Sequence, residues 1–378
     1  MVRERKPRVV VCGTRFGQVY LEAFKQPDVP FELAGVLGTG SRRSRSCAEH
    51  YGVPLYTDPG ELPPDIDMAC VVIRGGLLGG RGSELATALL DRGIHVLQEH
   101  PLHHDELAGC LRAARRNKVV YRLNAFYCHQ EPVRRFIAAA RELLSTRQPL
   151  FLDAACGFQL AYSLLDVLAR SVGGARPWAF GPVPELDRAV RGGTSLVIPF
   201  RSLDGVFAGI PITVRVQNQM DPADPDNYAH LMHRISIGTD AGNLSLAGTH
   251  GPVVWSARPA FPREVVGEGA DPYFEASAQS EVDSSAVLGP ARTPSYREVF
   301  QTVWPAGVIR AIGELWHAAG TGEDPLREGR HHLTLCKLWQ ELTARLGPPE
   351  LLTDKPPSPF DVADLLTLEK AAASAGGR

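Results

Sequence analysis

Short apolar runs and helical patterns alternate along the first third of the chain. Residues 9–12, 31–37, 53–56, 67–73, 94–98 and 119–124 read as strands. Helical stretches open at Gly17, run through Ala48 to Tyr51, and cover 84–91 and roughly 105–117. Strands alternating with helices of this length predict βαβ units and a parallel sheet. After Tyr127 the rhythm changes. Pro132 opens an amphipathic helix with Val133, Phe136, Ile137, Ala140 and Leu144 on one face. A strand over 150–154 leads to a helix over 161–172, and 178–255 is strand-rich, with runs at 203–208, 212–217, 231–237 and 243–247. One largely antiparallel sheet is predicted there. Residues 256–295, full of Pro, Gly, Ser, Ala and Glu without a period, read as a long mobile segment. Helical spacing returns at Val308, Ile309, Ile312, Leu315 and Trp316, and again at Leu333, Leu335, Leu338, Trp339 and Leu342. Residues 371–378 read as disordered.

The expected fold is α/β: a doubly wound parallel sheet over 1–127, then an α+β domain over 128–350 built on a largely antiparallel open sheet. Residues 351–378 form a tail, and the C-terminal helices can pack back on either domain. A length of 378 residues suits two domains. Composition narrows the class. A formal net charge of −2 with no basic stripe gives no reason to expect nucleic acid. No apolar run approaches the ~20 residues needed to span a bilayer. The charged N-terminus precedes only a strand-length apolar run, so no signal peptide is expected and the cytoplasm is the expected location. Seven scattered cysteines without a Cys-x-x-Cys fit small buried residues in a reducing compartment.

Candidate chemistry begins where the first strand ends. Gly13, Thr14, Arg15, Phe16 and Gly17 form a Gly-x-x-x-Gly turn into a helix. Open backbone N–H groups at such a terminus favour an anion, usually a dinucleotide pyrophosphate. The full fingerprint is Gly-x-Gly-x-x-Gly, and this shorter pattern suits a nucleotide site and a plain strand–helix turn alike. The second strand usually ends in a carboxylate when a ribose 2′-hydroxyl is held. Here Gly38, Thr39 and Gly40 precede Ser41, Arg42, Arg43, Ser44 and Arg45. Guanidinium and hydroxyl groups suit a 2′-phosphate, which favours NADP(H) over NAD(H). Arg74, Gly75 and Gly76, followed by Gly79, Gly80 and Gly82, put glycines on the same edge.

Gln98-Glu99-His100-Pro101 follows the next strand. It resembles the Glu-Lys-Pro motif of the glucose–fructose oxidoreductase/inositol dehydrogenase family, with His100 in place of the lysine. The family's lysine is an acid/base group beside the nicotinamide. Histidine titrates near neutrality and can fill that role. The helix that carries an Asp-x-x-x-His pair in the family's sugar and polyol dehydrogenases has Gln159 and Ser163 here. Alcohol oxidation on a sugar is therefore not expected. His103, His104 and His129 read as surface residues. His230 and His233, three apart on a strand, would face opposite sides, so no metal pair is expected. Asp, Pro and Asn at 221–227, before Tyr228, read as turn chemistry, with an entrance for a tethered substrate as the other reading.

One subgroup fits these departures. Val11-Cys-Gly-Thr-Arg-Phe-Gly17, the Arg74 glycine turn, Leu97-Gln-Glu-His-Pro-Leu-His103 and Asn124-Ala-Phe-Tyr127 resemble the thiazolinyl imine reductases of pyochelin- and yersiniabactin-type siderophore assembly lines. So do the 218–228 segment and Thr249-His-Gly-Pro-Val-Val, ending at Trp255. The resemblance implies NADPH as hydride donor and a thiazoline tethered to a carrier domain of a nonribosomal peptide synthetase as substrate. It implies His100 and Tyr127 as the acids that protonate nitrogen. By analogy of fold, a homodimer is expected. The competing readings are a same-fold reductase of a free small molecule and a non-catalytic dinucleotide-binding subunit.

Overall fold

The computed structural model describes residues 5–75, 80–224, 227–259, 281–322, 325–353 and 358–367. The first part of the chain runs β1 (Arg8–Cys12), α1 (Gly17–Ala23), β2 (Glu32–Leu37), α2 (Arg42–Tyr51), β3 (Leu55–Tyr56), β4 (Met68–Val71), α3 (Gly82–Asp91), β5 (His95–Glu99), α4 (His104–Asn117) and β6 (Tyr121–Asn124). Its six strands pair in parallel in the order β3-β2-β1-β4-β5-β6. The order reverses between β1 and β4, so a crevice opens beyond the carboxyl ends of these two central strands. Val9, Val10, Val11 and Cys12 are fully buried. A strand covered on both faces needs such an unbroken apolar run rather than an alternating one.

The second part contains α5 (Glu131–Thr146), β7 (Pro149–Gly157), α6 (Ala161–Val172), β8 (Trp178–Phe180), α7 (Arg188–Gly192), β9 (Phe200–Phe207), β10 (Ile210–Gln217), β11 (Gln219–Met220), β12 (His233–Thr239), β13 (Gly242–Leu246), β14 (Val253–Ala257) and β15 (Ser285–Leu288). It closes with α8 (Tyr296–Glu298), α9 (Trp304–Thr321), α10 (Pro325–Leu346) and β16 (Glu350–Leu351). Eight strands form an open sheet in the order β15-β14-β13-β12-β7-β10-β9-β8. Its pairs are antiparallel except β7 with β10, which run parallel. On β10 the residues alternate between buried and exposed as far as Val216, the signature of a sheet with one wet face.

The structure corrects one expectation within 256–295. Residues 260–280 lie outside the described residues, but β15 pairs with β14 on the edge of the sheet. The run Ser285–Leu288 is short and mixed, so its strand character comes from the partner rather than from its own pattern. The expected disorder at 371–378 also lies outside the described residues. Helix α9 packs against α1 and β5, while α10 packs against α4, β6 and α6, tying the second part of the chain to the first. Among the described residues, no helix is long and apolar enough to cross a membrane.

Candidate active site

The turn after β1 is shaped by Gly13, whose φ is +101°. A Cβ there would lie 2.5 Å from the Val72 carbonyl oxygen, so no other residue fits. Its N–H bonds the Leu37 carbonyl at 3.0 Å, joining the ends of β1 and β2. Helix α1 then starts with no side-chain cap and no acidic residue in its first turn. The Gln18 and Val19 N–H groups bond the Arg15 and Phe16 carbonyls, which leaves those of Phe16 and Gly17 for an anion. Thr14 and Phe16 are half-buried around this turn, Arg15 is exposed and Gly17 is buried. Beyond β2, Ser41 caps α2 through the Ser44 N–H. Arg42 and Arg43 stand exposed on its first turn, and no carboxylate sits there. These features fit a pyrophosphate at α1 and a negatively charged group at α2.

Ser44 is reassigned. It is 1% exposed, and its hydroxyl bonds the Ser41 carbonyl at 2.9 Å. It supports the turn from inside rather than facing a ligand. Gly75 likewise serves packing, because a Cβ there would lie 2.6 Å from Leu102. Arg74 beside it is exposed and lines the pocket described next. Gly76 and Gly79 lie outside the described residues.

Beyond the carboxyl ends of β4 and β5 lies a pocket of about 190 Å³ whose lining includes Phe16, Arg74, Glu99, His100, Tyr127 and Gln159. His100 is anchored on one side only. Its Nδ1 lies 2.9 Å from the Asn124 carbonyl oxygen and 3.0 Å from Glu99 Oε1. Both neighbours are acceptors, so Nδ1 carries a proton and donates. Nε2 has no protein partner among the described residues and is the nitrogen left to serve the pocket. The ring stacks on Tyr162 with centroids 5.4 Å apart.

Glu99 is held in turn. Its Oε2 accepts from the Tyr20 hydroxyl, which accepts from Asn124 Nδ2 at 2.5 Å. Burial, then the Glu99 charge, pushes the Tyr20 phenol well above its ordinary value, so it remains a donor. Sequence reasoning missed Tyr20 and Asn124. Tyr20 is on α1, far from Glu99 in sequence, and only the parallel sheet brings the two together.

Tyr127 does not extend β6, which ends at Asn124. Phe126 takes φ +62° and ψ −62°, and the Tyr127 N–H bonds the Ala125 carbonyl at 2.7 Å. This is a γ-turn, a strained conformation for a bulky residue that costs of order 1–3 kcal/mol. Phe16, Tyr20 and Trp304 surround the Phe126 ring and hold it there. The turn aims Tyr127 into the pocket, where its ring meets His233 edge-on at 4.8 Å.

His233 is a third residue whose role the sequence concealed. It opens β12 and is 1% exposed, while His230 lies before the strand and is exposed. Its Nδ1 bonds the Thr249 hydroxyl and its Nε2 bonds Ser163, each at 2.9 Å. Ser163 donates to the Leu160 carbonyl, and Thr249 accepts from the His233 N–H. The proton pattern closes with Nε2–H donating and Nδ1 accepting, which is neutral imidazole. Burial pushes its pKa down to about 3. An imidazole on the second sheet thus bonds Ser163 on α6.

His103, His104 and His129 are not free surface groups. His103 caps α4, His104 lies 3.0 Å from Asp105, and His129 lies 3.5 Å from Glu314. Asp166, His331 and His332 bring ligand-type atoms within 4.8 Å of one another. Both Asp166 oxygens are engaged by Arg170, at 2.9 and 3.0 Å, so this cluster is a buried ion-pair network. At 221–227 the described side chains bond within the turn itself, Asp221 to the Ala223 N–H and Asn227 to Asp224.

Residues 7–125 match the model of an oxidoreductase family with an NAD-binding Rossmann fold. Residues 147–256 match the C-terminal domain of the Irp3-like thiazolinyl imine reductases. No curated protein matches the chain. Among solved structures, an oxidoreductase from Agrobacterium radiobacter in complex with NAD+, L-tartaric acid and magnesium is 12% identical, with a TM-score of 0.62, covering 89% of this chain and 95% of its own. KijD10, a 3-ketoreductase from Actinomadura kijaniata in complex with NADP and TDP-benzene, is 16% identical, with a TM-score of 0.61, covering 93% and 100%. At such identities the likeness is one of fold. Sheet order, glycine turn and the two matches agree: residues 7–125 form a domain of the oxidoreductase family with an NAD-binding Rossmann fold, and residues 147–256 are matched by the C-terminal domain of the Irp3-like thiazolinyl imine reductases.

Proposed function

We propose that this protein is an NADPH-dependent reductase of the C=N bond of a thiazoline, tethered as a thioester to a carrier domain, giving a thiazolidine. The observation that carries this reading is the one-sided anchoring of His100: Nδ1–H is held by Asn124 and Glu99, and Nε2 is left for the pocket. When bound, a reduced nicotinamide would supply hydride to the imine carbon. Charge then develops on the ring nitrogen, and a donor within hydrogen-bond reach lowers the barrier by about 10²–10⁴-fold. His100 as imidazolium donates from Nε2, and the Glu99 carboxylate at Nδ1 balances its positive charge. Tyr127, aimed into the same pocket, orients the ring or shares the donation. Gln159 and Ser163 offer no carboxylate–imidazole pair on their helix for removing a hydroxyl proton, which favours reduction of an imine over oxidation of an alcohol.

Arg42 and Arg43 favour the 2′-phosphate of NADPH, and Gly13 to Gly17 would take the pyrophosphate. The test is incubation with NADPH and a thiazolinyl thioester loaded on a carrier, read by NADPH absorbance and product mass. A gain of two hydrogens supports the reading. No turnover beside an active control reductase refutes it, and oxidation of a polyol in a dehydrogenase panel would replace it.

A further inference from the structure

The Nδ1 anchor fixes one edge of the His100 ring but leaves the ring free to tilt about that edge, and the tilt decides where Nε2 points. A flat neighbour removes the tilt. Tyr162 on α6 is that neighbour: its ring is fully buried and lies against the imidazole with the two planes 28° apart. Tyr162 is itself held from α10. Its hydroxyl lies 3.0 Å from His332 Nδ1. The other nitrogen of the His332 ring, Nε2, faces Glu328 Oε1 at 3.4 Å. A proton on Nε2 suits that carboxylate, so Nδ1 is the bare nitrogen and accepts from the Tyr162 O–H. Burial pushes the Tyr162 phenol well above its ordinary value and His332 below its own, which keeps both neutral. One turn along α10, the Cys336 thiol donates to the Leu102 carbonyl at 3.4 Å, two residues beyond His100. A turn further, Trp339 meets the Tyr162 ring edge-on at 6.1 Å. His332, Cys336 and Trp339 share one face of α10 by helical spacing.

We infer that α10 sets the aim of His100: His332 holds the Tyr162 ring, that ring holds the imidazole flat, and Tyr162 and His332 are positioning residues for proton donation from Nε2. Neither residue lines the pocket, so any effect they have on the reaction passes through His100. A helix from the far end of the chain thereby takes part in a site built on the first domain. The inference rests on the proposed acid role of His100, and one arm of its test needs no substrate.

Tyr162→Phe keeps the flat face and removes the tether, Tyr162→Leu removes the face, and His332→Gln keeps an acceptor for the Tyr162 hydroxyl. Misplacing a reacting group by about 1 Å costs on the order of 10²-fold, and a loosened ring costs part of that. Single-turnover reduction of a thiazolinyl thioester is expected to slow about tenfold in Tyr162→Phe and about 10²-fold in Tyr162→Leu, with KM and NADPH affinity within about threefold of the parent. His332→Gln is expected to stay within about threefold of the parent in every respect. In a His100→Gln background Tyr162→Phe should slow the reaction no further, whereas a purely structural role would slow both backgrounds alike. The substrate-free arm is NMR of the chain carrying isotope-labelled histidine. The His100 Cε1–H resonance, assigned by its loss in His100→Gln, is expected upfield from the Tyr162 ring current, broadened in Tyr162→Phe and moved downfield in Tyr162→Leu. If that resonance ignores Tyr162→Leu, or Tyr162→Phe is as fast as the parent, or Tyr162→Phe slows the His100→Gln background equally, the inference falls. If the resonance responds as expected but the parent reduces no thiazoline, the positioning of His100 stands and the reduction reading falls.

Discussion

Tyr20→Phe removes one oxygen from a site that no substrate is expected to touch. That oxygen is fully buried, donates to Glu99 Oε2 and accepts from Asn124 Nδ2. Without it, Glu99 Oε2 keeps only Asn124 Nδ2 at 3.5 Å, too long for a strong bond. A hydrogen bond to a charged group contributes about 1.5–3 kcal/mol, and an orphaned buried donor costs about 1–3 kcal/mol. The Asn124 amide recovers part of this by moving toward Glu99, so a net destabilisation of about 2–4 kcal/mol is expected in equilibrium unfolding. The functional effect follows from geometry. Glu99 positions His100, and a loosened carboxylate lets the imidazole turn. Misplacing a reacting group by about 1 Å costs on the order of 10²-fold. Single-turnover reduction of the thiazoline should therefore slow by about 10–100-fold, while NADPH affinity, read by fluorescence titration, stays within about threefold. A variant as stable and as fast as the parent would refute the role assigned to Tyr20. Weakened NADPH binding with an unchanged chemical step would refute the route through His100.

Three further outcomes are expected. His100→Gln should lower turnover by about 10²–10⁴-fold with NADPH binding retained; full activity would pass the acid role to Tyr127 or elsewhere. Gly13→Ala forces a Cβ onto the Val72 carbonyl at positive φ, so soluble expression or NADPH binding should be lost; a well-folded variant that binds NADPH contradicts the turn. His233 and His250 are held neutral, near 3 and 4, against 6.5 in the unfolded chain. The unfolded state then binds more protons below pH 6.5, so stability falls as pH drops from about 6.5 toward 4, by up to about 1.4 kcal/mol per unit for each ring. Urea unfolding of the parent and His250→Gln at pH 7 and pH 5 checks this, with a smaller acid loss expected in the variant.

Much of the first domain was legible because parallel strands buried on both faces are written as unbroken apolar runs. Val9 to Cys12 at a glycine is such a run, and it located both the turn and the crevice beside it. The Glu99-His100-Pro101 step was readable for the same reason: a strand end in this topology must face the crevice. What the sequence could not state was which distant groups would meet there. Tyr20 reaches Glu99 only because α1 packs on β1 and the parallel sheet sets β5 two strands away. His233 comes from a strand of the second sheet and meets Tyr127 only after the two domains pack. Ser44 showed the opposite limit: hydroxyls that bind a phosphate and hydroxyls that close a turn look alike until burial is known. Local pattern fixes what a residue can do within its own element. Contact across elements decides which protons are held and which are free to move, and that depends on long-range packing that no short stretch encodes.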